Sequence, residues 1–169
     1  TMAGGLNRFS PETGEFLVFR HSGATNSLSE NNVWAVIPDG QGNIWAGTSL
    51  GLNCYNKKTG EFTHYRHANN DPSSLVSDMV ISLWLDAEGM MWVGTAEGLC
   101  RFNPTTKKFV TVLNVVRRDM KDENLIWSVT GSQSGKIITG TNNGVYSLDP
   151  ESGMITRLTH HAASGQLVA

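Results

Sequence analysis

Five histidines, two cysteines and fifteen acidic residues are the groups in this 169-residue chain that could hold a metal, attack an electrophile or move a proton. Their spacing argues against each chemistry in turn. His21, His67 and His160 occupy one position of a repeating pattern, with Asn114 at that position in the remaining unit. Residues a whole unit apart stand on separate units, whereas metal ligands must converge within about 2 Å of one ion. His64 and His161 have no such counterparts, so neither a metal centre nor any cofactor is expected. Cys54 and Cys100 fall one place apart in the pattern, and alternation along a strand sends such neighbours to opposite faces, which disfavours a disulfide. Neither has a histidine at matched spacing to activate a thiol.

The carboxylates Asp39 and Asp86 also recur, but in tight-turn settings of separate units. A general acid and base must act on one bond, so turn capping is the expected role for both. Gly131-Ser132-Gln133-Ser134-Gly135-Lys136 is one residue short of a phosphate loop and is followed by Ile137 where Ser or Thr is needed. Thirteen basic residues against fifteen acidic ones leave a net charge of −2, which excludes a strongly basic nucleic-acid binder. The longest apolar runs are a few residues, far below the roughly 20 of a membrane helix, so no membrane contact is expected from this segment. Eighteen glycines and five tryptophans, with prominent Asn, point to short strands and tight turns.

The pattern itself is a repeat. Gly5-Leu6-Asn7-Arg8-Phe9 is answered by Gly51-Leu52-Asn53-Cys54-Tyr55, Gly98-Leu99-Cys100-Arg101-Phe102 and Gly144-Val145-Tyr146-Ser147-Leu148, at intervals of 46, 47 and 46 residues. Ile44-Trp45-Ala46-Gly47-Thr48, Met91-Trp92-Val93-Gly94-Thr95 and Ile137-Ile138-Thr139-Gly140-Thr141 keep the same period. Each unit reads as four strands, exemplified by Val33 to Asp39, Asn43 to Thr48, Gly51 to Asn56 and Glu61 to Arg66, separated by turns short enough for antiparallel hairpins. Four strands in about 46 residues describe a β-propeller blade. The expectation is an all-β propeller fragment of about 3.5 four-stranded antiparallel blades, not closed on its own, since closed propellers have about four to eight blades. Residues 1–21 supply the last two strands of a first blade, 33–67, 80–114 and 126–160 supply three more, and 161–169 start the next inter-blade loop. The remaining blades of the same propeller, or a second copy meeting the open blade edges, are the expected covers of the end faces. Trp45 and Trp92 share one repeat position and Trp34 and Trp127 another, so blade packing is expected of all four. Trp84, aligned with Ile37 and Thr130, alone breaks the repeat.

The runs Val33-Trp34-Ala35-Val36-Ile37-Pro38-Asp39-Gly40-Gln41-Gly42-Asn43-Ile44-Trp45-Ala46-Gly47-Thr48 and Val80 to Thr95 resemble the two-component regulator propeller repeat. The third full unit departs from that pattern, with Ser132 in place of the Asp and Ile138 in place of the Trp. The resemblance implies the extracytoplasmic, periplasmic sensor region of a membrane-anchored hybrid histidine kinase of glycan-degrading gut bacteria. It implies signalling rather than catalysis by this segment, with an oligosaccharide as ligand; a propeller lyase or glycoside hydrolase, or a purely structural scaffold, are the alternatives.

Blade geometry ranks the loops. Those joining the last strand of one blade to the first of the next run from His21 to Asn32, His67 to Met79 and Asn114 to Leu125, longer than the two to five residues a connection needs. Excess loop length on a rigid scaffold is where recognition resides. Asn31, Asn32, Asn69, Asn70, Arg117, Arg118 and Asp119 are therefore the expected ligand-binding residues, their amides and charges suiting hydroxyl or carboxylate groups.

Overall fold

A computed structural model describes residues 1–114, 125–160 and 167–168. Strands β1 (Leu6–Ser10) and β2 (Glu15–Phe19) form a two-stranded sheet. The second sheet comprises β3 (Val33–Pro38), β4 (Asn43–Thr48), β5 (Gly51–Asn56) and β6 (Glu61–Tyr65), and the third β7 (Val80–Leu85), β8 (Met91–Thr95), β9 (Gly98–Asn103) and β10 (Lys108–Asn114). The fourth holds β11 (Ile126–Gly131), β12 (Ile137–Thr141), β13 (Gly144–Leu148), β14 (Ile155–His160) and β15 (Leu167–Val168). Each full sheet is an antiparallel meander in chain order, and successive sheets meet as propeller blades. Where the sequence reads residues 161–169 as the start of a loop, β15 pairs with the end of β14 and adds a fifth strand. Among the described residues no helix is long and apolar enough to cross a membrane.

The repeated residues fall into place on this frame. Gly47 and Gly94 let the first strand of the next blade lie against the second strand of their own: a Cβ on Gly47 would stand 2.6 Å from Val80 Cγ1, and one on Gly94 2.7 Å from Ile126 Cγ2. The threonines that follow cap the next turn, with Thr48, Thr95 and Thr141 donating Oγ1–H to the carbonyls of Gly51, Gly98 and Gly144 at 2.9 to 3.0 Å. Between the second and third blades an aromatic cluster closes the interface, Trp45 lying 5.3 Å from Phe102 and Phe102 4.5 Å from Phe109 by ring centroid. Trp92, Leu99, Ile126, Ile137 and Leu148 do the same between the third and fourth.

Two of the repeated tryptophans behave otherwise than expected. Trp45 and Trp92 are buried, 4% and 1% exposed, but Trp34 and Trp127 are 44% and 51% exposed. Each sits at a register shift, Val33 pairing with Thr48 and Ala35 with Gly47, and likewise around Ile81 and Trp127, so a β-bulge recurs in all three blades with Trp34, Ile81 or Trp127 as the unpaired residue. A bulge re-aims the extra side chain; the size of an indole leaves it partly in solvent, while the smaller Ile81 at the same position is buried. The two indoles point their N–H groups at the neighbouring turn, Trp34 to Ser49 Oγ at 3.0 Å and Trp127 to Asn142 Oδ1. Trp84, the aromatic outside the repeat, packs into the interface with the fourth blade, where Gly131 makes room for it: a Cβ there would be 2.3 Å from the indole.

Candidate functional site

The loop between the second and third blades borders a recess. The interval from His21 to His67 is 46 residues and that from Val33 to Val80 is 47, so the extra residue of this unit lies between His67 and Val80. Asp71 organises the bend: its Oδ1 accepts the amide of Ser73 at 2.9 Å and the Ser73 hydroxyl at 2.6 Å, which together hold its carboxyl below the usual range. Ser74 Oγ accepts from the Ala68 amide at 2.9 Å and donates to the Asp71 carbonyl at 2.7 Å. The loop ends are tied by His67, whose amide donates to Asp78 Oδ1 at 2.6 Å, while buried Leu75 anchors the return to the core. A backbone bond from Phe109 N–H to the Ser73 carbonyl, 2.8 Å, pins the loop against β10.

Between loop and strand lies an open notch of about 690 Å³. His67, Asn69, Asn70 and Asp71 furnish a polar wall, and Phe109, Val110 and Thr111 of β10 the opposite one, with Val110 its exposed apolar side chain. The notch's volume falls within the range of small-molecule clefts, though it is more open and more polar than most. His67 Nδ1 lies 2.6 Å from the Leu75 carbonyl and Nε2 3.0 Å from Asn69 Oδ1; these acceptors raise its pKa above the usual imidazole value, aided by Asp78 and Glu97.

Of the residues expected to bind ligand, Asn69 and Asn70 line this notch. Asn31 and Asn32 lie on the preceding loop. Asn31 Oδ1 accepts the His21 amide at 2.9 Å, the duty Asp78 performs in the next unit, and Asn32 Oδ1 accepts the Ala3 amide at 2.8 Å. Asn32 also borders a separate cleft of about 210 Å³ with Trp34, Thr1 and Met2. Arg117, Arg118 and Asp119 lie outside the described residues. Sequence reasoning misses the β10 side, because alternation buries Phe109 and turns Val110 outward, 63% exposed, and the sequence does not show that a loop lies beside it.

The repeated carboxylates have structural roles. Asp39 and Asp86 cap turns, accepting the amides of Gln41 and Asn43, and of Glu88 and Met90, at 2.8 to 3.0 Å. Both cysteines are free; burial, with the Asp39 charge adding to it, pushes the Cys54 thiol up to about 11, and burial raises the Cys100 thiol as well. Among the described residues no group of three or more His, Cys, Asp or Glu could hold a metal ion.

Residues 27–49 match the family model described as the two component regulator propeller. No curated protein matches the chain. Among solved structures, the extracellular domain of a hybrid two component system from B. thetaiotaomicron is similar at 26% identity and a TM-score of 0.80, covering 94% of this chain and 22% of that one. A second such domain from B. thetaiotaomicron is similar at 22% identity and a TM-score of 0.78, covering 98% and 21%. Virginiamycin B lyase from Staphylococcus aureus shares the fold at 15% identity and a TM-score of 0.68, covering 96% and 51%. The chain thus spans about a fifth of the length of the two extracellular domains it resembles. The resemblance read from the repeat is borne out: residues 27–49 match the two component regulator propeller repeat, and the chain has a propeller fold shared with the extracellular domain of a two component system.

Proposed function

We propose that this chain is a non-catalytic, ligand-sensing portion of a periplasmic propeller, belonging to a membrane-anchored two-component histidine kinase that responds to an oligosaccharide. The observation that supports it is the match over 94% of the chain to the extracellular domain of a hybrid two component system. The notch beside β10 is the site proposed for the ligand, its amides facing hydroxyls and the exposed Val110 side chain taking the apolar face of a sugar ring. The remaining blades of the same propeller cover the open faces, among them Phe9, Phe16, Leu17 and Val18 on the two-stranded sheet, which are 42 to 66% exposed; a second copy is the competing cover. As a rigid body the propeller passes on a signal only if ligand prefers one of two arrangements of the whole sensor.

Calorimetry of the complete extracellular region against a panel of oligosaccharides tests the reading. Binding of one member, weakened at least tenfold by Asn70→Ala and by Val110→Asp, is the expected result. Hydrolysis or elimination of a panel member would instead make the protein a propeller enzyme. Binding that ignores both substitutions would move the site to other blades.

A further inference from the structure

His67 stands at one end of the notch with an acceptor at each ring nitrogen: the Leu75 carbonyl 2.6 Å from Nδ1, and Asn69 Oδ1 3.0 Å from Nε2. A neutral imidazole has one N–H and one lone pair, so only the charged ring can donate to both. The bond to Leu75 is the shorter, and its counterpart recurs between His21 Nδ1 and the Leu28 carbonyl at 2.9 Å, which marks it as part of the loop's repeated framework. A neutral His67 therefore keeps its proton on Nδ1, and its Nε2 lone pair then faces the lone pairs of Asn69 Oδ1. Half a turn of the Asn69 amide removes that repulsion by offering Nδ2–H to Nε2, and it carries Oδ1 to where the NH2 group had been.

We infer that the proton on His67 sets the polarity Asn69 presents to the notch: a free NH2 donor when the ring is charged, a free carbonyl acceptor when it is neutral. The ligand consequence rests on the reading of the notch as the binding site. A hydroxyl both donates and accepts and is served by either state, whereas a carbonyl on the ligand is held only by the donor state. Three carboxylates act here: Asp78, which takes the His67 amide, Glu97 in the turn after β8, and Asp71 in the loop, with Lys108 of β10 near Asp71. The first two favour the charged ring, and ionised Asp71 in the notch opposes an anionic ligand. The group selected at lower pH is thus a neutral acceptor, such as the acetamido carbonyl of an N-acetylated sugar.

The test uses the intact chain labelled with ¹⁵N. His67 is expected to titrate to an Nδ1–H tautomer, the Asn69 side-chain NH2 signals to move with the same midpoint, and Asn69→Ala to lower that midpoint. N-acetylglucosamine, titrated on either side of the midpoint, is expected to lose about tenfold in affinity above it, the order of one hydrogen bond, while glucose changes little. An Nε2–H tautomer, or a His67 midpoint indifferent to Asn69→Ala, overturns the switch. An intact switch with neither sugar moving the resonances of Asn70 or Val110 overturns instead the assignment of the notch as the ligand site.

Discussion

Trp92 donates its indole N–H to Asp86 Oδ2 at 2.9 Å, and one blade earlier Trp45 makes the same bond to Asp39 at 3.2 Å. One carboxylate thus joins a turn to the buried ring of the strand that follows it, since its other oxygen takes two turn amides. Asp86→Ala leaves the Trp92 N–H and those amides without their partner, at a cost of roughly 2 to 3 kcal/mol. Trp92→Phe keeps most of the ring packing and costs less than Trp92→Ala, for which about 3 to 5 kcal/mol is expected. Urea unfolding midpoints read all three; an Asp86→Ala loss within about 0.5 kcal/mol, the range of ordinary surface changes, would dismiss the link.

Asp39 ties the same device to pH. Burial alone would raise its pKa, but the bonds from Asn43, Gln41 and Trp45 together outweigh burial and hold it below the usual carboxylate range. A carboxyl with a lowered folded pKa contributes stability that is fully present above its unfolded pKa and disappears as pH falls through the folded value. Stability measured from pH 6 down to 2 should therefore decline through the region below about pH 4, and Asp39→Asn should flatten part of that decline. An acid limb of the same steepness in the variant would remove Asp39 from the account.

The blade register was legible because each unit repeats its glycines, its turn carboxylate and its buried tryptophan at demands set by local geometry and the neighbouring blade. Asp39 and Asp86 were read correctly as turn caps for that reason. Trp34 and Trp127 were not legible as exposed, because a bulge inserts one unpaired residue and so breaks the alternation from which facing is inferred. The notch was half legible. Loop length pointed to Asn69 and Asn70, but the opposite wall depends on the Phe109 to Ser73 bond between residues far apart in sequence, which no local pattern encodes.

Glycine in the second strand of each blade should matter in proportion to what a methyl would strike. At Gly94 it meets Ser82 Oγ at 2.2 Å and the branched Ile126 side chain at 2.7 Å, both buried, whereas at Gly140 it meets chiefly Ser128 Oγ at 2.7 Å, on an exposed side chain free to turn. Gly94→Ala is expected to cost about 1 to 3 kcal/mol, as overpacked cores do, and Gly140→Ala appreciably less. Equal losses in denaturant unfolding would mean that the close approach of Ile126 to the third blade is not what requires glycine.

The bulge makes a spectroscopic demand that separates the tryptophans by repeat position. Trp34 and Trp127 hold their N–H groups on adjoining turns with half of each ring in solvent, while Trp45 and Trp92 are nearly sealed in blade interfaces. Acrylamide and iodide quenching of the folded chain should therefore resolve a red-emitting accessible fraction and a blue-emitting protected one. Trp34→Phe and Trp127→Phe should each subtract from the accessible fraction and leave stability within about 1 kcal/mol of the parent, since a hydrogen bond at the surface is worth no more. Trp45→Phe should instead subtract from the protected fraction. If Trp34→Phe removes protected emission, the ring lies inside a blade interface after all, and the bulge does not turn it outward.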